Sequence, residues 1–562
     1  MSERSQNVNG GEVVEALAQA LEGGVWKSDG DGGWCAWAGD GASACERVRE
    51  VRNACAGNAE ATSMLIASGA VRGLIKVIER ASCAHTDTRQ EEEILGKFIM
   101  FALQMLVNAG MDDNRALDAV WEVEFLADAV EAVAKLRGFR GSKTHELLCV
   151  LVNACVNHDT SRVSTVVDWA QTFWLPLLQA SAAPGEADSV GGGANFMTLI
   201  CTVCCKEDGL PKLFRGLSPN GAHVAALSEA LLRARLVALS VDDSHMNEVS
   251  DKPLAEVPKL QYISEQATLL HFIAALMDDN TATSYVDIHH SEIVAGEQPP
   301  LLMPEGVLAF LVDTTSVAAA RFAILPNGED RDTTLGVLME CVSVLRNISE
   351  REVKPHTGDT IACLAAMGLV RLVLAFLASL PPPTGIGQTS KATGPAAAPK
   401  LEAHIPKELA SDVLYPTKVP WVGYRVDLIA IIGNASFNRV RVCDDIANLG
   451  GIPIVLNHTR GEDGEPYLRE WSLWAVRNMT QGSHTTRQKI MDLQPRAVEE
   501  SEELLSRGLG VELNRDTGRP RVVRQEGASC SVAEEVISYR GDADEPEHAE
   551  FDIPSNWKVT EL

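Results

Sequence analysis

The sequence predicts an all-α fold built from short helical units that repeat along the chain as a solenoid. The clearest evidence is the stretch Arg425–Pro495, where apolar residues return at helical spacing in two segments. Each segment ends in an asparagine, Asn434 in the first and Asn478 in the second, and the two lie 44 residues apart. A short helix closed by Gly450 and Gly451 and a second helix lie between them. One short and two longer helices at this period are typical of armadillo and HEAT repeats.

Composition agrees with close packing of helices. Apolar residues make up 46% of the 562 residues and aromatic residues only 5%, a balance that suits helices better than a β-sandwich. A solenoid also escapes the usual size limit of a single core, because each repeat packs only on its neighbours. At 562 residues, the chain is long enough for about three or four average domains or for one continuous solenoid.

In chain order, residues 1–43 are expected to form a partly disordered N-terminal cap with one helix at Glu12–Leu21. Armadillo-like repeats with insertions are predicted for residues 44–380. Several of their long helices carry an asparagine at the end of an apolar stripe, at Asn53, Asn108, Asn153 and Asn347. The first two of these asparagines are 55 residues apart, which places an insertion at the charged run Thr86–Glu93.

The middle of the repeat region follows the pattern less closely. The helix predicted at Asn195–Cys205 lacks the asparagine, so its unit is at best a degenerate repeat. Residues Asp279–Pro304 are expected to be irregular, because no apolar period runs through them. Further helices are predicted at Val224–Leu239, Glu265–Met277, Thr334–Asn347, Thr360–Met367 and Leu369–Leu380.

The rest of the chain divides by composition. Residues 381–407 are rich in Pro, Gly and Ala and are predicted to be an unstructured insertion. Residues 408–495 hold the C-terminal repeats, and residues 496–562 form an acidic tail. Within the tail a helix is predicted at Val498–Leu505. A β-hairpin is predicted around the turn Asp516-Thr-Gly518, because a short apolar segment lies on each side of it.

Three spaced blocks of the C-terminal repeats resemble a known family. The blocks are Gly450–Arg460, Pro466–Trp471 and Val476–Thr480, and in this order they resemble the conserved C-terminal domain of the ataxin-10 family. Upstream, the resemblance is only to armadillo repeats in general. The resemblance implies a non-catalytic protein that acts through protein partners in the cytosol. It also implies roles in cell survival, neurite growth, cytokinesis and cilium or basal-body biology.

Net charge limits the classes of partner. At −28 the chain repels nucleic acid and anionic membrane surfaces over most of its surface, so neither is an expected partner. The N-terminus lacks a basic segment followed by an apolar core, and no run approaches the length of an apolar membrane span, so membrane insertion is not expected. The cytosol is the expected compartment, and most of the 13 cysteines are expected to be buried thiols there.

Two clusters of potential metal ligands stand out, and neither has the spacing of a known site. Cys201, Cys204 and Cys205 form a C-x-x-C-C run with no second pair to complete a zinc site, so buried thiols are favoured. His289 and His290 lie in a polar stretch that is more typical of a solvated loop. The sequence contains no enzyme signature, so no catalytic residue, metal or cofactor is predicted.

The recurring asparagines are the candidate binding residues, because an amide side chain both donates and accepts hydrogen bonds. One interpretation is that they hold the backbone of an extended peptide along a groove, as in other armadillo proteins. The other is that each asparagine ties its helix to the next turn or repeat. An arginine precedes three of them, at Arg52, Arg346 and Arg477, which favours a shared groove position. The candidate residues are Arg346, Asn347, Asn434, Arg469, Trp471, Trp474, Arg477 and Asn478.

Two classes of function follow. The first is an armadillo-type interaction scaffold that binds proteins or extended peptide segments, and that is also able to form homo-oligomers. The second is an adaptor or assembly factor that in addition binds a metal or small ligand through its Cys and His clusters. A further hypothesis is that the groove near Arg477 binds the acidic tail of the chain itself, because the charges are opposite.

Overall fold

The computed structural model describes most of the chain between residues 26 and 524. The described residues are 26–28, 34–37, 41–56, 58–68, 70–71, 74–75, 78, 89–122, 126–134, 143–181, 194–205, 208–218, 261–278, 303–351, 358–383, 409, 415–461, 464–493, 509–513 and 520–524. The chain divides into two compact units, Met1–Ile490 and Met491–Leu562. The larger unit carries the helices and the smaller one a β-hairpin.

The larger unit begins with strands β1 (Trp26–Ser28) and β2 (Trp34–Trp37), which pair antiparallel. Its first helices are α1 (Gly41–Cys55), α2 (Ala59–Ala67), α3 (Arg89–Asp112), α4 (Asn114–Trp121), α5 (Leu126–Ala134) and α6 (Lys143–His158). There follow a 3-10 turn (Thr160–Arg162), α7 (Val163–Asp168), a π-helical turn (Ala170–Trp174), α8 (Leu175–Ser181), α9 (Ala194–Cys204), α10 (Gly209–Leu217) and α11 (Ser264–Asp278).

The second half of this unit is built mainly from helices in its described residues. It contains α12 (Glu305–Ile324), α13 (Glu329–Glu350), α14 (Thr360–Ala366), α15 (Leu369–Ser379) and α16 (Tyr424–Ser436). It continues with α17 (Val440–Asn448), α18 (Gly451–His458), α19 (Leu468–Gly482) and α20 (His484–Met491).

One helix of each repeat belongs to a common row, and every helix in the row packs on the next. This long-helix row consists of α1, α3, α6, α9, α11, α13, α16 and α19. The shorter helices pack on the row and on each other, and a single apolar core runs through them. The predicted all-α repeat fold is therefore confirmed. The row includes α9, so the repeat that lacks the asparagine still packs between its neighbours.

Aromatic side chains connect the core of the N-terminal half. Ring contacts with centroids between 5.3 and 6.3 Å apart run from Trp121 through Trp169, Phe173, Trp174 and Phe196 to Phe272. Rings at these distances attract one another beyond the burial of their area. They join α4 to the π-helical turn and then to α9 and α11, so successive repeats share one continuous core.

The predicted C-terminal hairpin is confirmed in the smaller unit. Strand β3 (Leu509–Leu513) pairs antiparallel with β4 (Pro520–Arg524), with Val511 opposite Val522. Asp516, Thr517 and Gly518, the residues predicted to form the turn, lie between the two strands in sequence and outside the described residues. The N-terminal hairpin of β1 and β2, in contrast, was not predicted.

The structure contains one long apolar helix that the sequence analysis did not predict. Helix α12 was missed, and at 20 residues with a mean hydropathy of 1.6 it is long and apolar enough to cross a membrane, contrary to the expectation that no segment is. In this structure 67% of that stretch is buried, and it packs on α13, α10 and α14 as a core helix does. The predicted insertion at Thr86–Glu93 overlaps the start of α3 at Arg89.

Several predictions fall outside the described residues. They are the helices at Glu12–Leu21, Val224–Leu239 and Val498–Leu505, nearly all of the irregular stretch Asp279–Pro304, nearly all of the insertion 381–407, and the acidic stretch at the end of the tail.

Candidate interaction surface

Three of the recurring asparagines tie neighbouring helices of the row together. Asn478 of α19 is buried, and its Nδ2 donates a hydrogen bond of 2.9 Å to the carbonyl oxygen of Gly433 in α16. Asn347 of α13 donates in the same way to the carbonyl oxygen of Ala274 in α11, also at 2.9 Å. Asn434 of α16 reaches back to Ser349 Oγ of α13, at 3.4 Å. Each side chain therefore points to the preceding long helix and holds the spacing of the row.

The asparagines of the N-terminal half have different surroundings. Asn53 accepts hydrogen bonds from its neighbour Arg52, whose guanidinium also donates to Gln104 of α3. Asn108 is half-buried on α3. The Oδ1 atom of Asn153 is buried without a hydrogen-bond partner among the described residues. The common sequence pattern therefore does not give a common hydrogen bond.

The three arginines that precede asparagines also differ. Arg52 lies over the ring of Phe101, with 4.9 Å between the guanidinium carbon and the ring centroid. Arg346 of α13 forms ion pairs with Glu350 at 2.9 Å and with Asp427 of α16 at 3.1 Å. Burial raises the pKa of Asp427, although the nearby Arg346 guanidinium acts in the opposite direction. Arg346 thus links α13 to α16, as the asparagines do.

Arg477 has a different environment from the other two. Its guanidinium carbon lies 5.1 Å from the centroid of the Trp474 ring, one helical turn earlier on α19. Among the described residues its guanidinium forms no hydrogen bond or ion pair, and the Arg477 side chain is exposed. The adjacent ring is itself 43% exposed. This Arg–Trp pair is therefore available to a binding partner.

Exposed residues form a stripe along α19. Glu470, Leu473, Trp474, Arg477 and Gln481 are exposed and recur at helical spacing, whereas the opposite side of the helix is buried. The remaining candidates lie at the edges of this stripe: Arg469 is exposed, and Trp471 packs partly against the core. The structure thus brings Arg469, Trp474 and Arg477 to one exposed helix and places Arg346, Asn347 and Asn434 on the helices stacked behind it.

Comparison of equivalent positions explains why this stripe is exposed. Leu473 lies five residues before Asn478 and is 50% exposed. The residues five before the other recurring asparagines are all buried, at 0% to 2% exposure, and they are Val48, Leu103, Leu148, Val342 and Ile429. In those helices the position lies in the core of the row. Among the described residues no further long helix follows α19, and its last face is left open.

The residues of this open face are also larger than their equivalents in α16. Trp474 and Arg477 lie 44 residues after Ala430 and Gly433, both of which are buried. A β-carbon built on Gly433 would lie 3.4 Å from the β-carbon of Ala475, so α16 and α19 approach each other closely at that point. Leu473, Trp474 and Arg477 together are called the end face below.

A buried polar cluster fixes the segment that leads into α19. Glu465 is 9% exposed, and its Oε2 accepts a hydrogen bond of 2.9 Å from the backbone N–H of Gly423. Arg425 is 1% exposed and donates to the carbonyl oxygen of Pro381 at 2.7 Å. It also lies 3.2 Å from Nε2 of His458. These contacts connect α16, α18 and the loop before α19.

The protonation state of His458 follows from its partners. Its Nδ1 lies 2.8 Å from the carbonyl oxygen of Ile454, which can only accept, so Nδ1 carries the proton and Nε2 accepts from Arg425. Burial, with a contribution from the adjacent Arg425 charge, lowers the pKa of His458 to about 4. The neutral histidine therefore donates to a carbonyl oxygen of its own helix and accepts from a buried arginine.

Polar contacts hold the other end of α19 in place. Ser483 Oγ donates to Asp444 of α17 at 2.6 Å, and Thr486 Oγ1 donates to the carbonyl oxygen of Cys443 at 3.1 Å. Gly482 lies so close to α17 that a β-carbon there would come within 2.7 Å of Cys443 Sγ. Helix α19 is thus fixed at both ends, which gives the end face a defined geometry.

The cysteine cluster lies in the core rather than at a surface. Cys201 and Cys204 are buried in α9, and Cys205 follows directly after the helix. Burial raises the pKa of Cys204 well above its ordinary value, so its thiol stays protonated. Among the described residues no group of three or more His, Cys, Asp and Glu side chains is arranged to hold a metal ion. His289 and His290 lie outside the described residues.

Comparisons with known proteins identify the region that contains the end face. Residues 424–523 match the family model of the spinocerebellar ataxia type 10 protein domain. An ataxin-10 homolog of Dictyostelium discoideum is 38% identical over 89 residues, 16% of this chain and 15% of that protein. Ataxin-10 of Xenopus tropicalis is 29% identical over 91 residues, and that of Homo sapiens 28% over 90, each match covering 16% of this chain and 19% of the relative. The chain therefore matches less than a fifth of the length of these relatives.

Proposed function

We infer that this chain, which belongs to the ataxin-10 family through its residues 424–523, is a non-catalytic scaffold that binds other proteins through its C-terminal repeats. The observation that carries this proposal is the exposure of Leu473, Trp474 and Arg477 on α19. Leu473 occupies a position that is buried in the other helices of the row that carry the asparagine, so its exposure is a property of this helix alone among them.

The chemistry of the end face supports a protein partner. Tryptophan and arginine are the residues that most often dominate the binding energy of protein interfaces, and Leu473 adds apolar area beside them. The Trp474 ring orients the Arg477 guanidinium by a cation–π contact and leaves its hydrogen-bond donors for a partner. Polar contacts at both ends of α19 hold the three side chains on one rigid helix, which reduces the entropy lost on binding.

The asparagines have a supporting part in this proposal. The donors of Asn347 and Asn478 already bond the preceding helix, and both amides hold the row in register. We therefore place the principal binding contacts at Leu473, Trp474 and Arg477, with Arg469 beside them. Trp471, Arg346 and Asn434 position the helices that present these side chains. By family resemblance, the proposal extends to a cytosolic setting and to cell survival, cytokinesis or cilium and basal-body biology.

Quantitative affinity capture from a cell lysate tests the proposal. The full chain is compared with Trp474→Ala, Arg477→Glu and the matched control Arg441→Glu, an exposed charge on the neighbouring α17. We expect one set of proteins to be recovered by the wild type and by Arg441→Glu and to be lost from both end-face variants. Equal recovery by all four chains would show that the end face is not the binding surface.

A further inference from the structure

We propose that the partner binds the end face as an amphipathic helix with a carboxylate side chain, stacked on α19 as α19 is stacked on α16. This inference rests on the proposed function and specifies the kind of protein segment that the surface fits.

The established interface shows what covers this face in the preceding unit. The face of α16 that contains Ile429, Ala430 and Gly433 is covered in the fold, and α19 packs along α16 with Ala475 beside Gly433. The end face is the equivalent surface one unit later, so a helix is the shape that continues the row. An extended peptide would leave much of the exposed Leu473 and Trp474 area uncovered.

The end face cannot accept a helix identical to α19 at the distance that separates α19 from α16. Where α16 has Ala430 and Gly433, α19 has Trp474 and Arg477. The close approach at Gly433 leaves no room for a long side chain, because Ala475 is already in van der Waals contact there. A helix that stacks on α19 must therefore carry a small residue opposite Trp474 and lie slightly further away.

Charge then specifies the residue opposite Arg477. This guanidinium has no anionic partner among the described residues, and covering it with an apolar helix would bury an unpaired charge. A carboxylate on the incoming helix, at the position that Ala475 has over Gly433, would pair with it. Arg469 adds a second positive charge on the same helix, and Glu470 beside it disfavours a second acidic residue at that end.

Synthetic helices based on α19 are suitable probes. Two peptides copy residues 466–483, in which Leu468, Ser472, Ala475 and Met479 are buried and Ala475 lies beside Gly433 of α16. Both carry Leu473→Gln and Trp474→Gln, so that neither peptide has an end face of its own. One carries Ala475→Glu and the other Ala475→Lys, and each is titrated against the full chain by fluorescence anisotropy.

We expect the Glu peptide to bind the wild-type chain at least about ten-fold more tightly than the Lys peptide, as charge complementarity across an interface requires. The order should reverse with Arg477→Glu and stay unchanged with Arg441→Glu. Equal affinity of both peptides for the wild type, or an unchanged order with Arg477→Glu, would overturn the inference. If partner capture is lost in Trp474→Ala while the peptides show no preference, the proposed function stands and the helix inference fails.

Sedimentation of the full chain tests whether a second copy of the protein covers the end face. If the protein sediments as a dimer that Leu473→Glu dissociates, a second copy covers the end face and the inference is overturned. A monomer at the concentrations of the peptide titration supports it, because no second copy then covers the end face. Thermal melts of each variant confirm that the exposed substitutions leave the fold intact.

Discussion

Single side chains in this protein decide the spacing of helices, and their roles depend on which neighbour they reach. The sequence left two interpretations of the asparagines open, a peptide ladder and a structural tie. Asn347, Asn434 and Asn478 make the tie, whereas Asn53 bonds its own neighbour. An amide pattern in the sequence shows where hydrogen bonds are possible. It does not show which helix approaches, so the partner of each amide was not predictable.

Asn478→Ala is expected to destabilise the protein by about 1 to 2 kcal/mol, the usual cost of a buried hydrogen bond. The substitution removes the 2.9 Å bond to Gly433 and leaves a small void between α16 and α19. Urea unfolding of the full chain measures the effect. Asn457→Ala is the control, because Asn457 forms no side-chain hydrogen bond among the described residues. Equal stability of the two variants would contradict a structural role for Asn478.

The buried His458 predicts a pH dependence of stability. Its pKa is about 4 in the folded protein and about 6.5 when unfolded, so the unfolded chain binds the proton more readily. Its contribution is present in full above pH 6.5 and is lost as the pH falls towards 4. At pH 5 the loss is about 2 kcal/mol. His458→Gln should show a smaller difference between its melting temperatures at pH 7 and pH 5, and an equal difference would refute the assignment.

At the scale of elements, periodicity located the long helices better than their ends. It identified the helix at Thr334–Asn347, which in the structure is α13 and extends to Glu329 and Glu350. It missed α12, because a helix buried on nearly all sides is apolar throughout and shows little amphipathic period. The exposure of the end face was equally unpredictable from the sequence. Leu473 has the apolar character of a core residue, and only the stacking of the helices shows that it is exposed.

Two glycines in helices of the row should respond differently to replacement by alanine. A β-carbon at Gly482 would lie 2.7 Å from Cys443 Sγ and 3.3 Å from the carbonyl oxygen of Ser436, so Gly482→Ala should cost about 1 to 3 kcal/mol. At Gly336 the nearest atom would be the Ala267 β-carbon at 3.4 Å, an ordinary contact. Gly336→Ala should therefore be neutral or stabilise α13 by up to about 1 kcal/mol. Melting temperatures that shift in the same direction would contradict this packing.

At the scale of the whole molecule, the repeat pattern predicted the fold class, and the three C-terminal sequence blocks predicted the family. The residues that match the family model include the end face. Fold class was predictable because each repeat has its own apolar period and packs mainly on its neighbours. The binding surface was only partly predictable. Trp474 and Arg477 were among the candidates, but their separation from the asparagines, and the exposure of Leu473, arise from where the long-helix row ends.

The central claim is that partners bind the end face of α19. A photo-crosslinking amino acid at position 473 tests it most directly, with the same residue at position 111 as the control, because Met111 is 74% exposed on α3. After irradiation in lysate, we predict discrete protein adducts from position 473 that disappear when Arg477→Glu is added, and none of these adducts from position 111. Identical adducts from both positions, or adducts at 473 that persist with Arg477→Glu, would contradict the account.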